Sequence, residues 1–322
     1  MVAGRGSFGE AYGLATACAL LLALVAPLGL AGCVGGASSA PDGPQARAAG
    51  EASLRFLTYN VYYVFSRGTE VEAGSAWIAS QEPDVVALQE LTNISEARLE
   101  ELAAGWGHDH SALLKTSGFS VGLTSVHPIE VVERALDGFH HGCLHARVAG
   151  VDVFVVHLSP FKWSVREREA EAILSRVEPL LDEGRDVVVM GDFNALSAHD
   201  ASALASLPEQ LEKSRRSDAK HGHVENLRDG KFDFAVMQSF FDAGLVDLHE
   251  RFLDRAPGAR WTFTTGIWSE EKRDAPEGGT RIDYVLASPE MAGRALGARV
   301  IREGVVNRAS DHYPVIVDFG GE

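Results

Sequence analysis

The sequence predicts a layered α/β sandwich, and two features of its patterning carry that prediction. Short apolar runs bounded by turn residues recur from Leu54 to Phe319, Val85–Leu88 and Val187–Met190 among them, and runs of that length read as buried strands. They alternate with longer segments whose apolar residues fall at helical spacing, the order expected of helices packed on sheets. A third feature concerns function. Asn60, Glu90, His157, Asp192, Asn194, Asp283 and the Asp311-His312 pair each stand where a strand-like run begins or ends. Core packing gives no reason for a polar group there, whereas a site built along one edge of a sheet does.

Taken in order, the first strand runs up to Asn60. Val71–Gln81 reads as a helix that stops before Pro83, because proline disfavours helical backbone at the residue before it. Val85–Leu88 is a buried strand, and Ile94–Ala104 has helical apolar spacing. Phe119–Val132 and Leu144–Leu158 are strand-like. The clearest helix follows, with Ser164 and Glu167 as a capping box and a stripe of Ile173, Leu174, Val177, Leu180 and Leu181; Pro179 is a potential kink and Gly184 the stop. Val187–Met190 is a strand. Residues 199–253 read as mostly helical, best patterned over Phe234–Leu248. Trp261–Thr265, Ile282–Leu286, Ala298–Ile301 and Pro314–Phe319 return to strand.

The 322 residues are 46% hydrophobic and 23% charged, an ordinary globular balance. A formal charge of −16 provides no global basic field to gather polyanions. It leaves a nuclease open, since a bound cation changes the local potential. The apolar stretch Leu14–Leu30 follows Arg5 and leads into Leu30-Ala-Gly-Cys33, the layout of a secretory signal. It also resembles a bacterial lipobox, which implies that Cys33 is lipidated and anchors an exported protein to the cell envelope. Val34 in place of Asp then favours the outer membrane of a Gram-negative host. A plain signal peptide and a transmembrane anchor are the alternatives. On this reading residues 1–32 are the signal, 33–52 a Gly/Ala/Ser/Pro-rich tether and 53–320 one catalytic domain, expected to be a monomer. Cys143 is then the one thiol of the mature domain, too few for an internal disulfide.

The strand-end residues suggest their chemistry. Oxygen-rich sets with two or more carboxylates suit a hard cation such as Mg²⁺. Glu90 offers a ligand, and Asn60 a second oxygen or a brace for it. Gly191-Asp192-Phe-Asn194 puts two short polar side chains at a tight turn, where Asp192 could hold or deprotonate water and Asn194 could meet a phosphoryl oxygen; an Asx turn capping the next helix is the alternative. Asp283 could orient His312 and favour its charged form.

Taken together, Leu88-Gln-Glu90, Gly191-Asp192-Phe-Asn194, Arg281-Ile-Asp283-Tyr and Ser310-Asp311-His312-Tyr-Pro314 resemble the endonuclease/exonuclease/phosphatase superfamily, in its motif order and over about residues 54–319. That resemblance implies a four-layered α/β/β/α sandwich of the DNase I type. It implies Glu90 as the main Mg²⁺ ligand (Mn²⁺ as the substitute), with Asn60 and Asp311 nearby, and Asp192 as the group that orients or deprotonates water. Asn194, His157 and His312 would contact the scissile phosphate, with Asp283 holding His312. Phosphoryl transfer needs those parts: an in-line nucleophile, a cation and donors on the non-bridging oxygens. One departure is Val126, which replaces the basic residue usual after Ser125. Residues 199–232, with Arg215, Arg216, His221 and His223, read as a variable insertion, either a substrate lip or a solvated loop. The expected activity is a metal-dependent phosphodiesterase on nucleic acid, phospholipid or a small molecule. Phe161-Lys162-Trp163 is a small candidate for nucleic-acid contact, and Trp163 and Trp268 for lipid. The alternatives are a phosphomonoesterase and an inactive binding protein of the same fold.

Overall fold

In the computed structural model, residues 54–252, 259–267 and 279–321 are described. The signal, Cys33, the tether and Trp268 lie outside them. The chain begins with β1 (Leu54–Asn60), α1 (Val71–Ser80), β2 (Val85–Gln89), α2 (Glu96–Gly105), β3 (His110–Leu113) and β4 (Gly122–Ser125). It crosses at His127-Pro128 into β5 (Ile129–Ala135), β6 (Cys143–Val148), β7 (Val151–His157), α3 (Trp163–Asp182) and β8 (Val187–Asp192). An excursion follows through α4 (Ala201–Ala205), α5 (Pro208–Lys220), the ribbon β9 (Leu227–Arg228) and β10 (Lys231–Phe232), and α6 (Ala235–Asp242). The remainder is β11 (Val246–Asp247), α7 (Leu248–Phe252), β12 (Asp283–Ala287), α8 (Pro289–Gly293), β13 (Ala295–Val300), α9 (Val306–Ala309) and β14 (Val315–Phe319).

The strands form two six-stranded sheets, ordered β13-β14-β1-β2-β4-β3 and β11-β12-β8-β7-β6-β5. Alternation along each strand explains how they stack. Phe56, Val85, Ala87, Val153, Val155, Val188, Met190 and Val285 meet in the core between the sheets. Leu57, Tyr59, Val86 and Leu88 turn outward under α1, α2 and α9, while Val187, Val189, Phe154 and Val156 turn outward under α3 and α6. The result is the four-layered sandwich, helices outside two sheets. Because both faces of the central strands are covered, they read as continuous apolar runs.

Most pairings are antiparallel, but β1 pairs parallel with β2 and β7 parallel with β8. Each sheet therefore has two neighbouring strands at its centre whose C-terminal ends open at the same edge. Register sharpens this: Asn60 lies opposite Gln89, His157 opposite Asp192, and Asp192 opposite Asp283.

Several local expectations are corrected. The helix α3 starts at Trp163 with no side-chain cap at Lys162, and Glu167 pairs with Arg228 at 2.9 Å instead of closing a capping box. It also runs through Pro179 to Asp182. Phe234–Leu248 is not one helix. The helix α6 ends at Asp242, and Val246–Asp247 pairs as an edge strand with β12 before α7 begins. Trp261–Thr265 forms no strand, only isolated bridges from Phe263 to Thr280 and His312. Phe119–Val132 divides between the two sheets as β4 and β5.

Candidate active site

All eight strand-end residues singled out from the sequence sit at the one edge where β1, β2, β7, β8 and β12 end or begin. Gly191 is what lets β8 reach it. Its φ is 143°, and a Cβ there would lie 2.0 Å from the carbonyl oxygen of Val156 on β7. The next residue, Asp192, is the centre of the site. Its Oδ1 accepts the backbone N–H of Asn194 at 2.9 Å, an Asx turn that caps no helix. Its Oδ2 faces Asn60 Nδ2 at 3.1 Å, His157 Nε2 at 3.4 Å and His312 Nε2 at 3.8 Å. Asn194, in left-handed backbone at φ 48°, donates its side-chain amide to Leu158 O at 3.0 Å.

His312 is held at its ring and at its backbone. Asp283 Oδ2 lies 2.9 Å from its Nδ1, and its backbone N–H donates to Ser310 Oγ, which in turn donates to the carbonyl of Asn60. Thr262 Oγ1 accepts the backbone N–H groups of Ile282 and Asp283, both at 3.1 Å, which fixes the start of β12. Glu90 stands across the cleft at φ 61°; Asn60 Nδ2 donates to its Oε1 at 3.4 Å and Tyr63 N–H to its Oε2 at 3.2 Å. The second contact comes from a turn at Tyr62–Ser66, where successive residues all have positive φ. The same turn sends Tyr62 N–H to Asn60 Oδ1 at 3.1 Å. The amide oxygen of Asn60 thus accepts one backbone N–H, and its NH₂ braces the carboxylates of Glu90 and Asp192. Of the two roles its sequence position suggests, a second oxygen or a brace for Glu90, the structure shows the brace.

Charge is concentrated here. Burial opposes protonation of His312, but Asp283 and Asp192 outweigh it and hold its pKa well above the ordinary imidazole value. Burial pushes Asp192 up to about 7, against the pull of His312 and with a push from Asp283. Burial and the neighbouring Asp311 push Glu90 up to about 7 as well. His157 is the opposite case: burial first, then His141 and His312, hold it well below the ordinary value, so it is neutral. Among the described residues no Lys or Arg comes within ion-pair distance of Glu90, Asp192 or Asp283. The site holds excess buried negative charge, and its oxygen donors fit a hard divalent cation. Ligand atoms of Asp192, Asp283 and His312 lie within 4.8 Å of one another. However, a protonated His312 tied to Asp283 is a poor ligand, so Glu90 and Asp311 are the better-suited pair.

The insertion after β8 lines a cavity that meets the site at Asn194. Gln210 and Ser214 of α5, with Asn226, Leu227 and Phe232, line this cavity of about 160 Å³, which also borders Arg166, Phe263 and Ile282. Arg215 points elsewhere, toward Glu212 and Gly230 O. In Phe161-Lys162-Trp163, Phe161 packs on His140 and His223 beside the site, Lys162 pairs with Glu225 and Trp163 lies under Arg228. Val126 stands at the far end of the sheet: Ser125 pairs with Val85, five residues before Glu90 and about 17 Å away at strand spacing. Sequence reading missed His140 and His141 and the Tyr62–Ser66 turn. The signal available was a His-His pair bracketed by Gly138 and Gly142.

The model of the Endonuclease/Exonuclease/phosphatase family matches residues 57–312. This protein belongs to that family. Membership places it among hydrolases of phosphoester bonds. Solved structures with the same fold include a 3′-5′ exonuclease from Neisseria meningitidis (22% identity, TM-score 0.62, covering 83% of this chain and 100% of that one). A 3′ phosphatase from Neisseria bound to a product DNA hairpin is 21% identical with a TM-score of 0.61, over 83% of this chain and 100% of that one. An AP endonuclease from Archaeoglobus fulgidus is 20% identical with a TM-score of 0.59, over 83% and 99% respectively. At these identities the likeness is one of fold. No curated protein matches the chain.

Proposed function

We propose that this family member is a divalent-metal-dependent phosphodiesterase that attacks its substrate in line with water. The observation that carries the reading is the meeting of two unlike groups on one carboxylate. Asp192 faces a charged His312 on one side, and Asn60, the brace of Glu90, on the other. A carboxylate whose pKa stands near neutrality can orient water and take its proton. His312, kept protonated by Asp283, donates to a non-bridging phosphate oxygen and offsets charge as it develops. His157 and Asn194 flank the same oxygens, His157 as a neutral donor. Glu90 and Asp311 would hold Mg²⁺ or Mn²⁺ beside Asn60, and the bound ion supplies Lewis-acid charge stabilisation at the phosphate.

Three substrate classes remain in play: a nucleic acid, as in the DNA-bound neighbour, a phospholipid, and a small phosphodiester. The test uses residues 50–322 with bis-(p-nitrophenyl) phosphate, in Mg²⁺ or Mn²⁺ against EDTA, beside His312→Ala. The monoester p-nitrophenyl phosphate, plasmid DNA and sphingomyelin are run in parallel. Metal-dependent diester turnover that His312→Ala abolishes is the expected result. Preference for the monoester would replace the reading with a phosphomonoesterase. No turnover on any substrate, with no Mg²⁺ binding by calorimetry, would leave an inactive binding protein. The proposal extends to placement: an exported, monomeric enzyme held to the envelope membrane through lipidated Cys33. Radiolabelled palmitate incorporation that is lost in Cys33→Ser is the expected outcome, and labelling that survives the substitution would rule the anchor out.

A further inference from the structure

His157 presents a mechanical problem. It must aim Nε2 at the centre of the site, yet the second bond of its side chain turns in a broad, shallow well. The usual remedy is a partner on the other ring nitrogen, as Asp283 supplies for His312. In His157 that nitrogen, Nδ1, is buried and has no hydrogen-bond partner among the described residues. At 3.4 Å, Nε2 is also beyond the range of a well-formed bond to Asp192.

What lies against the ring instead is a second imidazole. His141 stacks on His157 with ring centres 4.2 Å apart and planes 24° from parallel. We propose that His141 is a positioning residue of this active site, fixing the plane of His157 by stacking where no hydrogen bond does. The support behind His141 suits that task. It is buried, and Phe119 (5.3 Å) and His140 (4.4 Å, edge-on) close on its ring; Phe119 in turn packs on Tyr63 at 5.0 Å. One buried carboxylate ties the two partners of the stack together: Glu169 accepts the backbone N–H of His140 at 2.7 Å and that of Ser159 at 2.8 Å. The loop carrying His141 and the chain just past His157 are thus pinned to the same side chain of α3. A stack restrains the ring without placing a charge on Nδ1, so the two histidines of one site are held by different means for different roles.

This inference rests on the proposed phosphodiesterase reading for its kinetic arm, and its spectroscopic arm is independent of turnover. The variants are His141→Phe, which keeps a flat ring without nitrogens, His141→Ala, and His141→Leu, which fills volume without a ring. Nitrogen–proton correlation spectra of the His157 imidazole are expected to match the parent in His141→Phe, and to shift or broaden in His141→Ala and His141→Leu. On bis-(p-nitrophenyl) phosphate, kcat should stay within about threefold for Phe and drop about 10- to 100-fold for Ala and Leu, with KM nearly unchanged. Should Ala fail to fold, Leu decides. Unchanged His157 signals in the ringless variants overturn the proposal, as does an equal kcat loss in Phe and Ala, which would assign the role to the nitrogens of His141. If the parent turns over no diester, the functional reading fails and the spectra alone judge the stack.

Discussion

The two sheets build their halves of the cleft with the same device and different chemistry. Each places one parallel pair at its centre, β1 with β2 and β7 with β8, so that two strand ends reach the same edge side by side. The first pair ends in an amide and a carboxylate, Asn60 and Glu90. These are held by backbone N–H groups from the Tyr62–Ser66 turn. The second ends in an imidazole and a carboxylate, His157 and Asp192, and the antiparallel neighbour β12 adds Asp283 in the same row. One half collects oxygen donors suited to a cation, and the other collects groups that move or hold protons. The lesson is that the fold supplies only the meeting place. Burial and a handful of neighbours then set which groups are charged there.

The largest effects should fall on the proton-handling groups, where Asp283 of the second sheet meets His312 on the chain leading into β14 of the first. His312→Ala is expected to lower kcat about 10³-fold, and Asp283→Asn nearly as much, because both remove the same fixed positive charge. His157→Ala removes a neutral donor and should cost about 10²-fold. Steady-state kinetics on the diester checks the ranking, and a His157 effect equal to that of His312 would break the distinction drawn between them. Next comes Gly191→Ala. With 2.0 Å between the new Cβ and Val156 O, β7 and β8 must separate, at a cost of about 3 kcal/mol or more. Urea unfolding measures it, and an unchanged midpoint would show that the two strands tolerate a wider spacing.

The cation half predicts a pH effect. The carboxyl of Glu90 stands at about 7 in the folded protein, above the ordinary carboxylate value. The folded state therefore keeps a proton that the unfolded chain has already lost, and metal-free stability contributed by this group falls as pH rises from about 4.5 to about 7. Mg²⁺ binds the deprotonated form, so it should raise the Tm more at pH 8 than at pH 6. Glu90→Gln should flatten the pH dependence of the Mg²⁺ shift and remove the Glu90 share of the metal-free fall, leaving the share of Asp192, which is also raised to about 7. A Mg²⁺ shift that persists undiminished in Glu90→Gln would move the cation away from this half and toward the Asp192, Asp283 and His312 cluster.

Much of this site was legible in sequence because strand ends are local signals. A buried strand announces itself by continuous apolar residues, and a polar residue at its last position needs no tertiary information to be noticed. That is how Asn60, Glu90, His157 and Asp192 could be selected before the sheets were known. What escaped depends on partners far along the chain. The ring of His141 matters only because β6 and β7 place it over His157, and Glu167 leaves its capping role because Arg228 arrives from β9. Trp261–Thr265 has strand composition, but only Phe263 finds bridging partners, so composition alone overstates it. The left-handed turn after Asn60 carries Tyr, Val and Phe, residues that do not favour positive φ. Contacts with Glu90 and Asn60 are what the structure shows accompanying it.

The smallest expected effect concerns a departure that the motif resemblance alone makes look important. Val126 stands where the family resemblance implies a basic residue, and a lost phosphate contact is the natural reading. The register of β4 argues otherwise. Ser125 pairs with Val85, at the entry end of β2, while Glu90 lies just past the exit end. A side chain at position 126 therefore projects from the edge of the sheet opposite the catalytic one. Val126 is also 41% exposed, so a long cationic side chain would extend into solvent without displacing core atoms. Val126→Arg is accordingly expected to leave kcat/KM on the small diester within about twofold and the Tm within a degree or so. A gain of tenfold or more on plasmid DNA alone, lost at high salt, would instead mean that a polyanion wraps around to the far edge. That result would extend the substrate surface well beyond the cleft in which the two halves meet.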